Sequence, residues 1–431
     1  MKRKINKIFV SILFLGIILT LASCDFHFEK LFESDNTKEK ADDNKNIDDG
    51  SNNKTTDDND SNKTEDKDNT DDKTSDKDDT EEETNNPITD KINEIIGALE
   101  EEIVVTTPTD NEKTNEEELK IKDYLLDYTH DYGYINLAND TNGADMQKIY
   151  REAYNLAKDV LTSASDYETQ EVNVTVTNSD GTKSVVKENY VLLPALKFNN
   201  SGYSSSMNSN IAASAVMEMI YDNPLFYFLN SGYLSSSDSV QLSIIAEYKT
   251  AEARTIMNNK ILSMFDDINN KYSLSTLSDS SKYESINKYI MDKIEYAYES
   301  DNKTPSDAYW AHNIEGLVNT AYSKGVCECY AKNFKLICDS VGLETMLATG
   351  IGQSGTSSGG HAWNYVKLED KWYGMDVTWN DTSASMMNKN GKYFLKGSSF
   401  ASEHHPYDNS SYGISYRVNS PTLSTMPYSI F

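Results

Sequence analysis

Three side chains in the second half of the chain are of the types that nucleophilic acyl transfer requires. Cys327 is a thiol that can attack a carbonyl, His361 is an imidazole that can take up the thiol proton, and Asp376 is a carboxylate that can orient the imidazole. Each residue type is common by itself in cores and turns. The three in this order predict a catalytic site, provided that the elements around them bring them together.

A β-hairpin is predicted to join the histidine and the aspartate. The segments 361–368 and 371–378 are short and rich in aromatic and β-branched residues, and only Glu369 and Asp370 separate them. With a two-residue turn there, His361 lies diagonally across the hairpin from the aspartate, at roughly 7–8 Å between backbones, where the side chains can meet. The predicted cross-strand pairs are Leu368 with Lys371, Val366 with Tyr373, Trp363 with Asp376 and His361 with Thr378.

A helix is predicted to start at or near Cys327. Apolar residues recur after it at helical spacing, and Gly342 supplies a stop. The unpaired amides and the dipole at a helix N-terminus favour an anion, so this position favours the thiolate of Cys327. The same amides can hold the oxyanion that forms when a carbonyl is attacked.

Three sequence blocks contain these residues: GVCECYA at 325–331, HAWN at 361–364 and WYGMDVTWND at 372–381. In order and approximate spacing they resemble the signature blocks of the bacterial transglutaminase-like superfamily. The resemblance implies that Cys327 is the nucleophile, His361 the general base and Asp376 its orienting carboxylate. It also implies an α+β, papain-like fold in which the cysteine helix packs against an antiparallel sheet.

The resemblance implies a thiol enzyme that attacks a peptide or carboxamide carbonyl and forms a thioester intermediate. With water as acyl acceptor it is a cysteine peptidase or amidase, and with an amine it is a protein-glutamine crosslinking transglutaminase. We favour the hydrolytic activity, because nothing in the sequence specifies an amine site. A third interpretation is an inactive transglutaminase-like module that binds a wall or host ligand, as an adhesin does. No metal and no other cofactor is assigned.

One position departs from the family pattern, since most relatives have glycine where this chain has Cys329. Three interpretations are open: a strained disulfide with the nearby nucleophile, a redox cap on it, or a small buried thiol. We favour the buried thiol, because free cysteine commonly packs as a small hydrophobe. Cys338 lies about 13 Å further along a regular helix, too far to bridge to Cys329.

Further candidates surround the triad. We assign His312 as a candidate oxyanion group, because family members place a polar or aromatic residue upstream of the nucleophile. Tyr330 and Trp363 are candidates for lining the substrate groove, with packing as the alternative. His404 and His405 lie where relatives also tend to carry a histidine, and no role is assigned to either.

The composition limits the partners of the chain. Its 431 residues carry a formal net charge of −29, and the isoelectric point is near 4.5, which argues against nucleic acid as a partner. The segment 24–86 alone holds 23 acidic residues and 9 lysines. It has almost no apolar residues after Phe32, so it cannot bury a core, and we expect a disordered acidic linker. Such a linker could span about 200 Å at full stretch.

The N-terminus has the layout of a secretory signal. Basic residues precede the apolar run 8–21, which is short for a membrane span and ends in LASC at 21–24. These four residues resemble a bacterial lipobox, which implies a signal peptide at 1–23 and acylation of Cys24. An ordinary signal peptide and an uncleaved anchor are the alternatives. We therefore expect a lipid anchor on the extracellular face of the bacterial membrane, with peptide or protein substrates among cell-wall or secreted proteins.

In the rest of the chain we expect two folded regions, an N-terminal α+β region at 116–275 and a transglutaminase-like catalytic domain at 280–431. In the first, helical patterns at 119–126 and 149–161 precede alternating strands around an Asp180-Gly181 turn, and 211–220 is predicted to be helical. We expect this region to support packing or substrate selection. In the second, an apolar stripe from Tyr283 to Ile294 predicts a core helix.

Overall fold

The computed structural model describes residues 10–11, 121–177, 182–197, 205–235, 239–382, 391–407 and 420–429. Cys24, the acidic linker and nearly all of the signal peptide at 1–23 lie outside these residues, so anchoring and localisation stay predictions. No helix within the described ranges is long and apolar enough to cross a membrane.

The described helices, named in chain order, are α1 (Tyr132–Leu137), α2 (Gly143–Leu161), α3 (Ser205–Asp222), α4 (Ala251–Tyr272), α5 (Asp279–Lys293), α6 (Glu315–Val318), α7 (Cys327–Ser340) and α8 (Val377–Thr382). The described strands are β1 (Val10–Ser11), β2 (Gln170–Thr177), β3 (Lys183–Leu192), β4 (Leu196–Lys197), β5 (Leu229–Ser235), β6 (Ser239–Ile244), β7 (Glu295–Tyr296), β8 (Lys324–Gly325), β9 (Thr345–Ser354), β10 (Ser357–Leu368), β11 (Lys371–Met375) and β12 (His404–Pro406).

The N-terminal region largely follows its sequence patterns. Helices α2 and α3 cover the helical patterns predicted at 149–161 and 211–220, and β2 pairs antiparallel with β3 in the predicted hairpin. In the second region, α5 covers the predicted apolar stripe from Tyr283 as far as Lys293. The turn at Asp180-Gly181 lies outside the described residues. The helix predicted at 119–126 is wrong over its described part, where only residues 121–122 are helical before the chain turns.

The sheet that carries the predicted site is antiparallel, with strand order β11-β10-β9-β12 among the described strands. Its hairpin has the predicted register from Leu368 with Lys371 through Val366 with Tyr373. Glu369 and Asp370 both have positive φ, at 50° and 59°, as a two-residue type I′ turn requires. The pairing predicted beyond this point is wrong: β11 ends at Met375 and α8 follows, so neither Trp363 with Asp376 nor His361 with Thr378 forms a ladder pair.

The cysteine helix α7 begins at the predicted residue and packs on β9 and β10. Asn364, fully buried on β10, donates from its side-chain amide to the carbonyl of Ala331 on the helix at 3.1 Å. The helix ends before Gly342, whose φ of 72° lets the chain turn away. The predicted α+β class, a cysteine helix on an antiparallel sheet, is confirmed.

Both predicted regions contribute to one hydrophobic core, and the described residues from 121 onward fall within one compact unit. A buried charged cluster also links them. Lys335 of α7 donates to the carboxylate of Asp339 at 3.0 and 3.1 Å and lies 3.8 Å from Asp131. Tyr150 donates to both Asp131, at 3.1 Å, and Asp222, at 2.9 Å. The N-terminal region therefore packs directly on the cysteine helix, and the division at 275–280 stays a prediction.

Candidate functional site

Cys327 is the first residue of α7 and is 3% exposed. The chain reaches it in an extended conformation at Val326, whose amide donates to the carbonyl of Ala311 at 2.8 Å. Its side chain is hydrogen-bonded to the imidazole of His361. The thiol therefore lies at a helix start beside a base, as the sequence predicted.

His361 lies on β10 opposite Gly350 of β9, and its side chain also lies close to Gly352. A Cβ on Gly352 would lie 3.0 Å from the Cβ of His361, so glycine gives the ring its space. The imidazole stacks on Trp379 with ring centroids 4.7 Å apart. Its Nε2 lies 2.7 Å from Asp376 Oδ2, which leaves Nδ1 for the thiol. The predicted contact between the histidine and the aspartate is present.

Asp376 lies between β11 and α8 and is fully buried. Its Oδ1 accepts the amide of Trp379 at 2.9 Å, so the carboxylate caps the first turn of α8. Its Oδ2 faces two imidazoles, His361 at 2.7 Å and His404 at 2.9 Å. The helix cap fixes one oxygen and the histidines fix the other, so the carboxylate has a single orientation.

The electrostatics of the pair favour opposite charges on His361 and Asp376. Burial opposes the charge of His361, but the Asp376 carboxylate and the hydrogen bonds to it and to Cys327 outweigh burial and raise the pKa of His361 to about 10. Burial also opposes the charge of Asp376, yet His361, with a hydrogen bond from His404, holds the pKa of the carboxylate well below its usual range. The site is therefore prepared to hold an imidazolium next to the thiol.

His404 is the residue for which the sequence suggested a position but no role. It begins β12, which pairs with β9 so that His404 faces Gly352, and it is fully buried. Its ring stacks on Phe400 with centroids 3.7 Å apart and planes 6° apart. No local motif marks it, because its bond to Asp376 joins residues far apart in the sequence.

The ligand-type atoms of His361, Asp376 and His404 all lie within 4.8 Å of one another, close enough to hold a metal ion. Both histidines present Nε2 to the same carboxylate oxygen at hydrogen-bond distance. A metal ion would have to replace both of these bonds. We therefore treat the cluster as a hydrogen-bonded one.

His312 is near the thiol, but its ring nitrogens have other contacts. Nδ1 lies 3.1 Å from a Glu328 oxygen, and Nε2 lies 3.0 Å from the carbonyl oxygen of Ser306. Burial opposes the charge of His312, but Glu328 outweighs it and raises the pKa of the imidazole. This geometry leaves no ring N–H for the oxyanion role predicted for His312, and the imidazole instead holds Glu328 at the start of the helix.

Tyr330 and Trp363 belong to the core and do not line a groove. Tyr330 is fully buried, and its hydroxyl donates to Asp381 at 2.6 Å. Trp363 is 1% exposed and packs edge-on against His404, with ring centroids 5.0 Å apart. The groove prediction is therefore wrong for both residues, and the packing alternative holds.

Cys329 is a buried free thiol, as favoured from the sequence. A Cβ on Gly316 or Gly325 would lie 2.7 or 2.4 Å from its sulfur, so the thiol fills space that these two glycines leave open. Burial raises the pKa of Cys329 to about 12 and moves that of Cys338 in the same direction. Neither thiol is prepared to act as a thiolate.

Residues 266–377 match the family model described as the transglutaminase-like superfamily, so the resemblance is confirmed over that segment. Members of this superfamily are generally cysteine peptidases or acyltransferases. No curated protein matches the chain.

Several solved structures are similar to part of the chain. A candidate cysteine protease from Cytophaga hutchinsonii is 18% identical, with 27% of this chain and 37% of that one covered and a TM-score of 0.22. A structure described as a TGase is 14% identical, with 34% and 43% covered and a TM-score of 0.25. The periplasmic domain of TgpA from Pseudomonas aeruginosa, bound to ethylmercury, is 9% identical, with 53% and 94% covered and a TM-score of 0.22. The chain thus spans less than half the length of the first two.

Proposed function

We propose that the chain is a membrane-anchored extracellular thiol enzyme that hydrolyses peptide or carboxamide bonds through Cys327, His361 and Asp376. The observation that carries the proposal is the continuous hydrogen-bond path from the Cys327 thiol through His361 to Asp376, at the start of a helix. A thiol beside an oriented imidazole is the arrangement that nucleophilic catalysis by cysteine needs.

The reaction uses each group in turn. The Cys327 proton passes to His361 Nδ1, the resulting thiolate attacks the carbonyl carbon, and the amides at the start of α7 are suited to hold the oxyanion. Collapse of the tetrahedral intermediate breaks the C–N bond, and the imidazolium gives its proton to the leaving amine. Water then attacks the thioester while His361 takes its proton, and the acid and the free thiol are released. Asp376 stays ionised throughout and keeps the imidazole oriented.

The test compares the wild type with Cys327→Ala and Cys329→Ala on a panel of wall peptides and secreted proteins. We expect Cys327→Ala to abolish turnover. Cys329→Ala, the matched loss of a buried thiol two residues away, should stay within about tenfold of the wild type. Full turnover by Cys327→Ala would refute the proposal, and an inert but folded wild type that binds a wall ligand would favour the adhesin interpretation.

The acyl acceptor is decided in the same assay by adding a labelled primary amine. Mass spectrometry should find cleaved amide bonds with no amine incorporated. Incorporation of the amine at glutamine would replace the hydrolytic proposal with the crosslinking transglutaminase.

Anchoring through Cys24 is part of the proposal and has its own test. The lipobox-like LASC at 21–24 and the acidic stretch at 24–86 support it. The mature N-terminus should be a lipid-modified Cys24, and Cys24→Ser should release the protein into the medium. Membrane retention of Cys24→Ser would exclude the lipid anchor.

A further inference from the structure

Asp376 holds two histidines with a single oxygen. Oδ2 lies 2.7 Å from Nε2 of His361 and 2.9 Å from Nε2 of His404, while Oδ1 accepts the amide of Trp379. A carboxylate oxygen has two lone pairs, so both imidazoles can donate to it at the same time. Both ring nitrogens of His404 have partners, Asp376 at Nε2 and the Phe400 carbonyl at Nδ1, so its link to the reaction runs through Asp376.

The surroundings decide which nitrogen of His404 carries the proton. Among the described residues, the titratable groups that face its ring are Asp376, His361 and Tyr393, and the Tyr393 ring centroid lies 5.6 Å away. Burial, with the neighbouring His361, lowers the pKa of His404, so the ring is neutral and has one N–H. Both polar partners of the ring only accept, and the Asp376 carboxylate, at 2.9 Å from Nε2, is a charged and closer acceptor than the Phe400 carbonyl, at 3.3 Å from Nδ1. The single proton therefore belongs on Nε2.

We propose that His404 is a positioning residue that donates from Nε2 to Asp376 and so keeps this carboxylate an ionised, fixed acceptor for His361. The proposal rests on the proposed function, since it assigns a support to the same site. A carboxylate that already accepts from His404 and Trp379 is a weaker base. It therefore leaves the proton on Nε2 of His361, and Nδ1 is the nitrogen that exchanges a proton with Cys327.

The packing around His404 is built to hold that ring in one place. It stacks flat on Phe400, and a Cβ on Gly374 would lie 2.2 Å from the Phe400 ring, so glycine makes the space for the stack. Trp379 and Trp363 contact the imidazole with ring centroids at 4.6 and 5.0 Å. An apolar ring would satisfy these contacts equally well. The bond to Asp376 requires a donor, which an apolar ring would lack.

The test separates the hydrogen bond from the packing. His404→Leu fills the space without a donor, His404→Gln keeps an N–H donor, and His405→Leu is a matched change at the next residue of the strand. Iodoacetamide alkylation of Cys327 is followed by mass spectrometry from pH 5 to 10, together with turnover. The alkylation rate reports the thiolate and needs no substrate.

We expect His404→Leu to slow alkylation at pH 6 by about tenfold or more, because a charge-assisted hydrogen bond is lost. The rate should approach that of the wild type above pH 9, where the thiol ionises without its partner. His404→Gln and His405→Leu should follow the wild-type profile. A His404→Leu alkylation profile equal to that of the wild type would overturn the proposal. The proposal would also be overturned if His404→Leu slowed alkylation equally at every pH and His404→Gln did not restore the rate.

Failure of the proposed function gives a different result. A wild-type Cys327 that is alkylated only at high pH refutes the activated thiol. The inference is then decided in Cys327→Ala by nitrogen NMR of His404, which should show a proton on Nε2 and none on Nδ1 at pH 7. A proton on Nδ1 overturns the inference whatever the thiol does.

Discussion

Replacing Asp376 with asparagine tests whether the carboxylate acts by selecting the tautomer of His361. The amide has nearly the same shape, and its Oδ1 can still accept the Trp379 amide that now lies 2.9 Å from the carboxylate. The other position becomes an NH2 group that donates, and it faces Nε2 of His361 at 2.7 Å. Two donors cannot face each other, so His361 must move its proton to Nδ1.

A proton on Nδ1 blocks the reaction, because that nitrogen is the one left to accept the Cys327 proton. Trapping a catalytic histidine in the wrong tautomer lowers kcat by about 10⁴-fold, which corresponds to roughly 5 kcal/mol of transition-state stabilisation. We expect Asp376→Asn to lose activity on that scale. It should also lose the low-pH alkylation of Cys327, because the neutral imidazole then presents a donor in place of an acceptor.

The matched control is Asp381→Asn, on the short helix α8 that Asp376 caps. Asp381 accepts the Tyr330 hydroxyl, and no contact of this carboxylate with the triad is found among the described residues. Its amide analogue should keep kcat/KM within about tenfold of the wild type, while urea unfolding reports the stability of both variants. If Asp376→Asn keeps a tenth or more of wild-type kcat, the tautomer argument is refuted.

Three other perturbations probe the supports of the site. Lys335→Met leaves buried carboxylates without their cation and should lower the free energy of unfolding in urea by about 3–5 kcal/mol at pH 8. The loss should be smaller near pH 5, because burial raises the pKa of Asp339 to about 6. The control is Lys367→Met, in an exposed pair with Glu344, which should cost less than about 1 kcal/mol. Cys329→Gly introduces the residue typical of relatives and should destabilise the fold by about 2 kcal/mol, through the lost sulfur and the helical glycine, with turnover retained. A loss of activity without a loss of stability would refute the packing role of Cys329. The pKa of His361 is raised to about 10, so its charge stabilises the fold fully below about pH 6.5, and that contribution is lost as pH rises through 10. The free energy of unfolding should therefore fall more steeply from pH 7 to 10.5 in the wild type than in His361→Gln.

Local patterns predicted the parts of the site that are close in sequence. The α7 start and the β10–β11 turn follow from helical spacing and from a two-residue hairpin loop, and both are confirmed. The error at the end of β11 also has a local cause. Asp376 is followed by a residue pattern that could continue a strand, but its side chain caps α8 and ends the sheet. The contact with His361 survives because it needs a diagonal approach and not a ladder pair.

Contacts between distant segments explain what the sequence did not reveal. Tyr330 has the helical spacing of a core residue and the hydroxyl of a groove residue, and the Asp381 carboxylate that satisfies that hydroxyl is 51 residues away. The role of His312 depends likewise on Glu328 in the first turn of α7. No pattern in a single segment could have decided either role, since each follows from a partner that only the tertiary fold supplies.

The charge balance of the site explains why a second histidine on Asp376 is compatible with catalysis. In the reactive state the buried groups carry a thiolate on Cys327, an imidazolium on His361 and the Asp376 carboxylate. A charged His404 would place two cations on one oxygen, and burial opposes that charge as well. A neutral His404 adds a donor and no charge, so it steadies the carboxylate without competing with His361 for it. An N–H donor at this position thus serves the triad better than a cation would.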